Sequence, residues 1–172
     1  AAAYPSGPRG GIPDRGSAMS DVLTRPATLR AAQPLDAGAV GEIMTDFARD
    51  TNWLPRIHTA AEDIAHADAM IARGWVTVAE QSGQIAGFAA CTEGELDALF
   101  VAERARGQGV GSALLNRLKA RHPALTCWTF QANAPAIGFY RQHGFAETAR
   151  GDGSANDEGL PDLTLQWQRE AA

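Results

Sequence analysis

The chain is poor in cysteine, has no long apolar run and carries no excess of positive charge, and each lack closes off a class of protein. Only two cysteines occur in 172 residues. Cys91 and Cys127 both fall in apolar stretches and not in a spaced framework, which excludes a disulfide scaffold and points to a reduced, cytoplasmic setting. No segment is apolar for long enough to serve as a signal core or a membrane span, so no membrane partner is expected. A formal net charge of -5 argues against general nucleic-acid binding, which needs a basic face. His58, His66, His122 and His143 show no metal-ligand spacing, so no metal is expected. Internal repeats are also lacking.

What remains suits one globular domain. At 45% apolar content a chain of this length buries a core without disulfides or metal. Residues 1–18 are rich in Ala, Gly, Pro and Ser, have no apolar period and are expected to be a disordered tag or extension ending before Met19. Residues 19–172 then form the single domain. Hydrophobic spacing predicts strands at 27–31, 75–80, 85–92, 95–101, 125–130, 145–148 and 163–168. Helices are expected at 35–49, with Val40, Ile43, Met44 and Phe47 on one face, at 60–74 behind the capping box Thr59-Ala-Ala-Glu62, at 109–121 and at 134–143. Strands that first meander and then alternate with helices make a mixed α/β sheet.

The most informative stretch is Leu96 to Leu115. An apolar strand runs into a turn rich in arginine and glycine, and the turn runs straight into a helix whose stripe is Val110, Leu114 and Leu118 with Ala113 beside them. Gly107, Gly109 and Gly111 let a ligand approach the main chain closely. Unpaired amides, the positive end of the helix dipole and the nearby Arg104 and Arg106 together suit a phosphate or diphosphate. A plain strand-to-helix turn with surface arginines is the other reading. A P-loop would need Gly-Lys-Ser/Thr, and Gly111 is followed by Ser112 and Ala113. A dinucleotide fingerprint would need glycine where Leu114 stands.

Arg106-Gly-Gln-Gly109-Val-Gly111 resembles the Arg/Gln-x-x-Gly-x-Gly/Ala segment of the GCN5-related N-acetyltransferase (GNAT) family. Asn133-Ala-Pro-Ala136-Ile-Gly-Phe139-Tyr140-Arg-Gln-His-Gly144-Phe145 is similar to the family's Asn-x-x-Ala-x-x-Phe-Tyr-x-x-x-Gly-Phe. The likeness spans Thr28 to Gln168. It implies a GNAT fold, a mostly antiparallel central sheet of about seven strands splayed between the fourth and fifth, with about four helices. It also implies acetyl-coenzyme A as acyl donor, with no metal. The diphosphate would lie on Arg106, Gly107, Gln108, Gly109, Val110, Gly111 and Ser112. The pantetheine arm would pair with the backbone of Leu99, Phe100 and Val101, beside Asn133, Ala136 and Phe139.

The same likeness implies that Asn133 bonds the arm and that the Tyr140 hydroxyl protonates the departing thiolate. Read from the residues alone, Asn133 is also a helix N-cap and Tyr140 a core aromatic. The acceptor amine must lose a proton before it attacks, which makes Glu95 and Asp97 base candidates. Two apart on a strand, they are expected on the same side; the alternative leaves both at a strand start facing solvent. Specificity is expected from two loops, with Trp53, Arg56 and His58 in one and Asn156 and Asp157 in the other. Both are equally readable as an ordinary helix connection and a solvated hairpin loop. The activity this implies is N-acetylation of a small polar amine by direct attack in a ternary complex. The alternatives are a protein or peptide acceptor, or an acyl-coenzyme A sensor without turnover. Family members are often dimers, so a homodimer is compatible.

Overall fold

The computed structural model describes residues 26–172. The expectations for residues 1–18 and for Met19 lie outside the described residues. The elements run β1 (Thr28–Ala31), a 3-10 turn at Pro34–Asp36, α1 (Ala37–Asp50), α2 (Ala60–Ala72), β2 (Val76–Gln81), β3 (Gln84–Thr92) and β4 (Glu95–Val101). A second 3-10 turn at Glu103–Ala105 leads to α3 (Val110–Arg121), β5 (Ala124–Phe130), α4 (Ala134–Gln142), β6 (Ala146–Gly151) and β7 (Asp162–Gln168). The strands form one seven-stranded sheet in the order β1-β2-β3-β4-β5-β7-β6. Every neighbouring pair is antiparallel except β4 with β5.

Local chemistry explains the boundaries. Thr59 accepts from the Glu62 amide at 3.2 Å while Glu62 accepts from the Thr59 amide at 2.6 Å, so two otherwise unpaired donors at the head of α2 are satisfied. The β2–β3 and β3–β4 hairpins turn on Ser82-Gly83 and Glu93-Gly94, all four residues left-handed, as two-residue hairpins of matching twist require. One core lies under α3 and α4 and includes Leu99, Val101, Val110, Leu114, Cys127, Tyr140 and Leu165. The other lies under α1 and α2 and includes Val40, Phe47, Met70, Phe88, Phe100 and Phe130.

Three sequence expectations shift. The first helix starts at Ala37 and not Leu35, because the Asp36 carboxylate bonds back to the Gln33 amide at 2.7 Å and pairs with Arg30, which winds Pro34–Asp36 into a tighter turn. Leu35 is left 96% exposed. The buried stripe of α3 is Val110, Leu114, Leu115 and Leu118, so Leu115, not Ala113, completes it. Strand β6 runs to Gly151, past the expected Thr148, with a register break between Glu147 and Ala149. It is an edge strand with exposed polar residues, and such strands carry a weak alternation signal.

The seat of α3 depends on a glycine in the neighbouring strand. A Cβ at Gly87 would stand 2.7 Å from Phe100 O and 3.1 Å from Val110 Cγ1, whereas one at Gly138 in α4 meets nothing within 4 Å. Gly87→Ala is therefore expected to destabilise the fold by about 1–3 kcal/mol. Gly138→Ala should stabilise it by about 0.5–1 kcal/mol. Urea unfolding midpoints of the two variants check both signs.

Candidate active site

Strands β4 and β5 are neighbours through a single register pair, Glu95 with Thr126, reinforced by the Thr126 amide on Gly94 O at 2.8 Å. Beyond that pair they diverge, so the β4 edge from Asp97 to Val101 faces a gap. This is the split expected between the fourth and fifth strands. The side chains of Leu99, Phe100 and Val101 are buried in the two cores, which leaves the backbone as what this stretch presents to the gap.

The glycine turn closes one end of the gap. Gly107 and Gly109 have φ of 73° and 82°, and a Cβ at either would meet nothing within 4 Å, so these positions need glycine for handedness and not for packing. Among the described residues the first amide of α3 with a main-chain acceptor is Ala113, bonded to Gly109 O at 2.9 Å. The amides from Gly109 to Ser112 thus form the open mouth of the helix. The surrounding side chains mostly serve the turn itself. Arg104 Nη2 donates to Ile85 O at 2.6 Å, Arg106 Nε to Val101 O at 3.3 Å, and Gln108 bridges Arg104 O and the Gln81 side chain. His143 links the mouth to α4. Its Nδ1 lies 2.8 Å from Phe139 O and its Nε2 3.0 Å from Ser112 Oγ. A carbonyl only accepts, so Nδ1 donates, and in the neutral ring Nε2 accepts from Ser112.

Helix α4 supplies the wall of the gap. Asn133 Oδ1 caps it by accepting from the Ala136 amide at 3.3 Å, while its Nδ2 is buried without a partner. Tyr140, two turns on, is fully buried, and its hydroxyl meets no oxygen or nitrogen partner and lies against the Cys127 thiol alone. Burial first, then the adjacent Cys127 thiol, holds the Tyr140 hydroxyl well above its ordinary value, so it keeps its proton. Ala136 is buried between them, and the Phe139 ring lies tilted against the His143 ring at 4.4 Å.

On the opposite face the gap opens into a cleft of about 420 Å³ between α1, α2, β4, β5 and the β6–β7 loop. Its polar lining is Glu62, Asp63, Asp97, Asn156, Asp157, Glu158, His58 and His66, and its apolar lining includes Met44, Phe100 and Trp128. No lysine or arginine lines it among the described residues. An adjoining cleft contains His66, Glu95, Asp97 and also Cys127. Through Cys127 the carboxylate side therefore reaches the thiol that borders Tyr140.

Glu95 and Asp97 do not keep simple alternation. Cys91 pairs with Leu96 and Ala90 with Ala98, so Asp97 is the extra residue of a β-bulge. Leu96 consequently packs under α3 and α4 while Ala98 and Phe100 pack under α1 and α2. Both carboxylates border the adjoining cleft, but only Asp97 also reaches the cleft that holds His58 and Asp157. Burial holds Asp97 above the ordinary carboxylate value, partly offset by His66.

The loop residues expected to contact substrate separate into groups. His58, Asn156 and Asp157 line the cleft. The Asn156 amide is used within its own loop, donating to Leu160 O at 2.8 Å and Asp162 Oδ2 at 2.9 Å and accepting from the Leu160 amide at 3.2 Å. Arg56 borders a smaller adjoining cleft with His58 and Glu158. Trp53 is placed elsewhere: it packs edge-on against Phe130 at 5.7 Å, in the core under α1 and α2. Cys91 gains a neighbour that the sequence did not show, His122 Nε2 at 3.8 Å. Burial nevertheless lifts its thiol to about 11, and that of Cys127 to about 12, which suits neither to nucleophilic attack. Glu62, Asp63, His66 and Trp128 were not foreseen. On α2 the first three follow helical spacing, and in sequence that pattern looks like any solvated face.

A sheet split beside an open helix mouth is the arrangement that the resemblance in sequence implies. The acetyltransferase (GNAT) domain profile matches residues 72–147. The chain is 42% identical over 79 residues to the peptidyl-lysine N-acetyltransferase YiaC of Escherichia coli, across 45% of this chain and 54% of YiaC. It is 35% identical over 103 residues to the E. coli peptidyl-lysine N-acetyltransferase YjaB, across 60% of this chain and 68% of YjaB. The match thus spans just over half the length of YiaC. The solution structure of apo YjaB has the same fold, with a TM-score of 0.69 at 25% identity over 81% of this chain and 96% of that one. The chain belongs to the GNAT acetyltransferase family.

The raised Asp97 value fixes a sign for stability. Its folded-state value lies above its unfolded one, so the protonated form favours folding at low pH and that contribution is lost as pH rises through the folded value. Asp97→Asn should accordingly melt higher than the parent protein at pH 7, and the gain should shrink as pH falls towards the ordinary carboxylate value of about 3.9. Melting curves of both proteins across pH check it.

Proposed function

We propose that the protein is an acetyl-coenzyme A-dependent N-acetyltransferase acting on a cationic primary amine. The observation that carries this reading is the pair of buried polar groups on α4, Asn133 Nδ2 without a partner and Tyr140 OH with only the Cys127 thiol of β5 beside it. Both fit a carrier whose arm offers amides and whose end is a sulfur. The carrier supplies an activated acetyl group as a thioester. Asn133 holds the arm while still capping α4, and the amides at the mouth of α3 hold the diphosphate. Tyr140 keeps a proton at its hydroxyl and gives it to the thiolate as that group leaves.

Asp97 is the base of this reading. It is half-buried, lines both clefts and faces His66, so it takes the ammonium proton directly or through water. Glu95 is exposed and borders only the adjoining cleft, which makes it the lesser candidate. The carboxylate-rich lining of the cleft beside His58 and Asp157, free of lysine and arginine, favours an acceptor that arrives positively charged. His58 and Asp157 stand at its rim. A small polar amine satisfies this chemistry, and so does a peptide lysine, which the names of YiaC and YjaB favour.

Thiol release with acetyl-coenzyme A and a panel of diamines, amino acids and lysine-bearing peptides tests the activity and divides the two acceptors. Release with at least one cationic amine is expected, and no release with any of them, in protein that binds the carrier, would leave only the sensor reading. In the same assay Tyr140→Phe should lower kcat by about a hundredfold or more. Its affinity for coenzyme A should be unchanged by calorimetry.

A further inference from the structure

A third polar side chain stands on the same wall and has no role in the account above. Thr129 is 0% exposed, and its hydroxyl, like Asn133 Nδ2, has no hydrogen-bond partner. In β5 it shares the face of Leu125 and Cys127, which belong to the core under α3 and α4, while Trp128 and Phe130 belong to the opposite core. Its side chain therefore stands on the α4 side of the sheet. The Asn133 amide donates to Phe130 O at 2.9 Å, which ties the head of α4 to the end of β5 one residue beyond Thr129. Along the strand Thr129 lies about 7 Å from Cys127, whose thiol borders Tyr140. The wall therefore carries, in order, the Tyr140 hydroxyl, the Thr129 hydroxyl and the Asn133 amide.

A buried hydroxyl without a partner is a net cost to the folded chain, and valine fills nearly the same volume without that cost. Packing alone does not call for threonine here. We propose that the Thr129 hydroxyl is a binding group for the arm of the thioester carrier, bonding it between the part held by Asn133 and the sulfur end beside Tyr140. A hydroxyl both donates and accepts, so it serves either the N–H or the carbonyl of an amide in the arm. The inference rests on the acetyl-coenzyme A reading and adds a residue to it.

The test compares parent, Thr129→Val and Thr129→Ser proteins by calorimetry with coenzyme A and by thermal melting without ligand. The valine variant should bind about fivefold to tenfold more weakly, as loss of one hydrogen bond predicts. It should melt at or above the parent temperature when unliganded, and the serine variant should bind as the parent does. Equal affinity in the valine variant and the parent would overturn the assignment to Thr129 alone. So would an unliganded valine variant that melts several degrees lower while the serine variant does not, because the hydroxyl would then have a partner inside the protein. A parent protein that binds no coenzyme A would overturn the acetyl-coenzyme A reading itself, a result separate from either of these.

Discussion

Everything in this molecule depends on two parallel strands that touch at one end and part at the other. The Glu95–Thr126 contact holds the base of β4 to β5, and from there the sheet is two sheets sharing a hinge line. Neither half closes the gap, because each is committed to other partners. β4 is laddered to β3 along its whole length, and β5 is laddered to β7 from Ala124 to Phe130. On one face α3 and α4 close over the two halves, while on the other Trp128, Phe130 and Phe100 pack against α1 and Trp53. A gap flanked by two finished cores is stable without being filled, and a passage through a sheet needs that property.

Disfavoured polar chemistry gathers on one side of the sheet. Asn133, Tyr140 and Thr129 each bury an atom that water would have satisfied, and Arg117 Nε in α3 is a fourth. The carboxylates on the opposite face follow a different logic. Glu62 is tied to the α2 cap and Asp63 accepts from Thr45 Oγ1 at 2.6 Å, so part of the negative field in the cleft comes from groups that also hold the helices. Charge that serves folding thus doubles as an electrostatic attraction for a cation.

Much of this was legible in the sequence wherever the signal was local. The capping box at Thr59, the Ser82-Gly83 turn, the Gly107–Gly111 segment and the Asn133-to-Phe145 pattern are short, and each carries its own physical reason. What could not be read came from packing between distant segments. The bulge at Asp97 arises because Leu96 is drawn into the core under α3 and α4, and nothing in residues 95–97 announces it. Trp53, expected among the specificity residues, packs on the core instead, since Phe130, far along the chain, offers its ring a partner. The cleft brings together residues 58–66, Asp97 and 155–158, and that meeting is a property of topology and not of spacing.

The bond between Ser112 and His143 has a consequence for how the turn is built. With Ser112 Oγ engaged by His143 Nε2 at 3.0 Å, the mouth of α3 offers peptide N–H groups in place of a free hydroxyl. A grip made of peptides is blind to side-chain identity and sensitive to chirality. What this loop has to keep is a sequence of dihedral signs, left-handed at Gly107 and again at Gly109, with Gln108 between them tying the turn to Arg104 and Gln81.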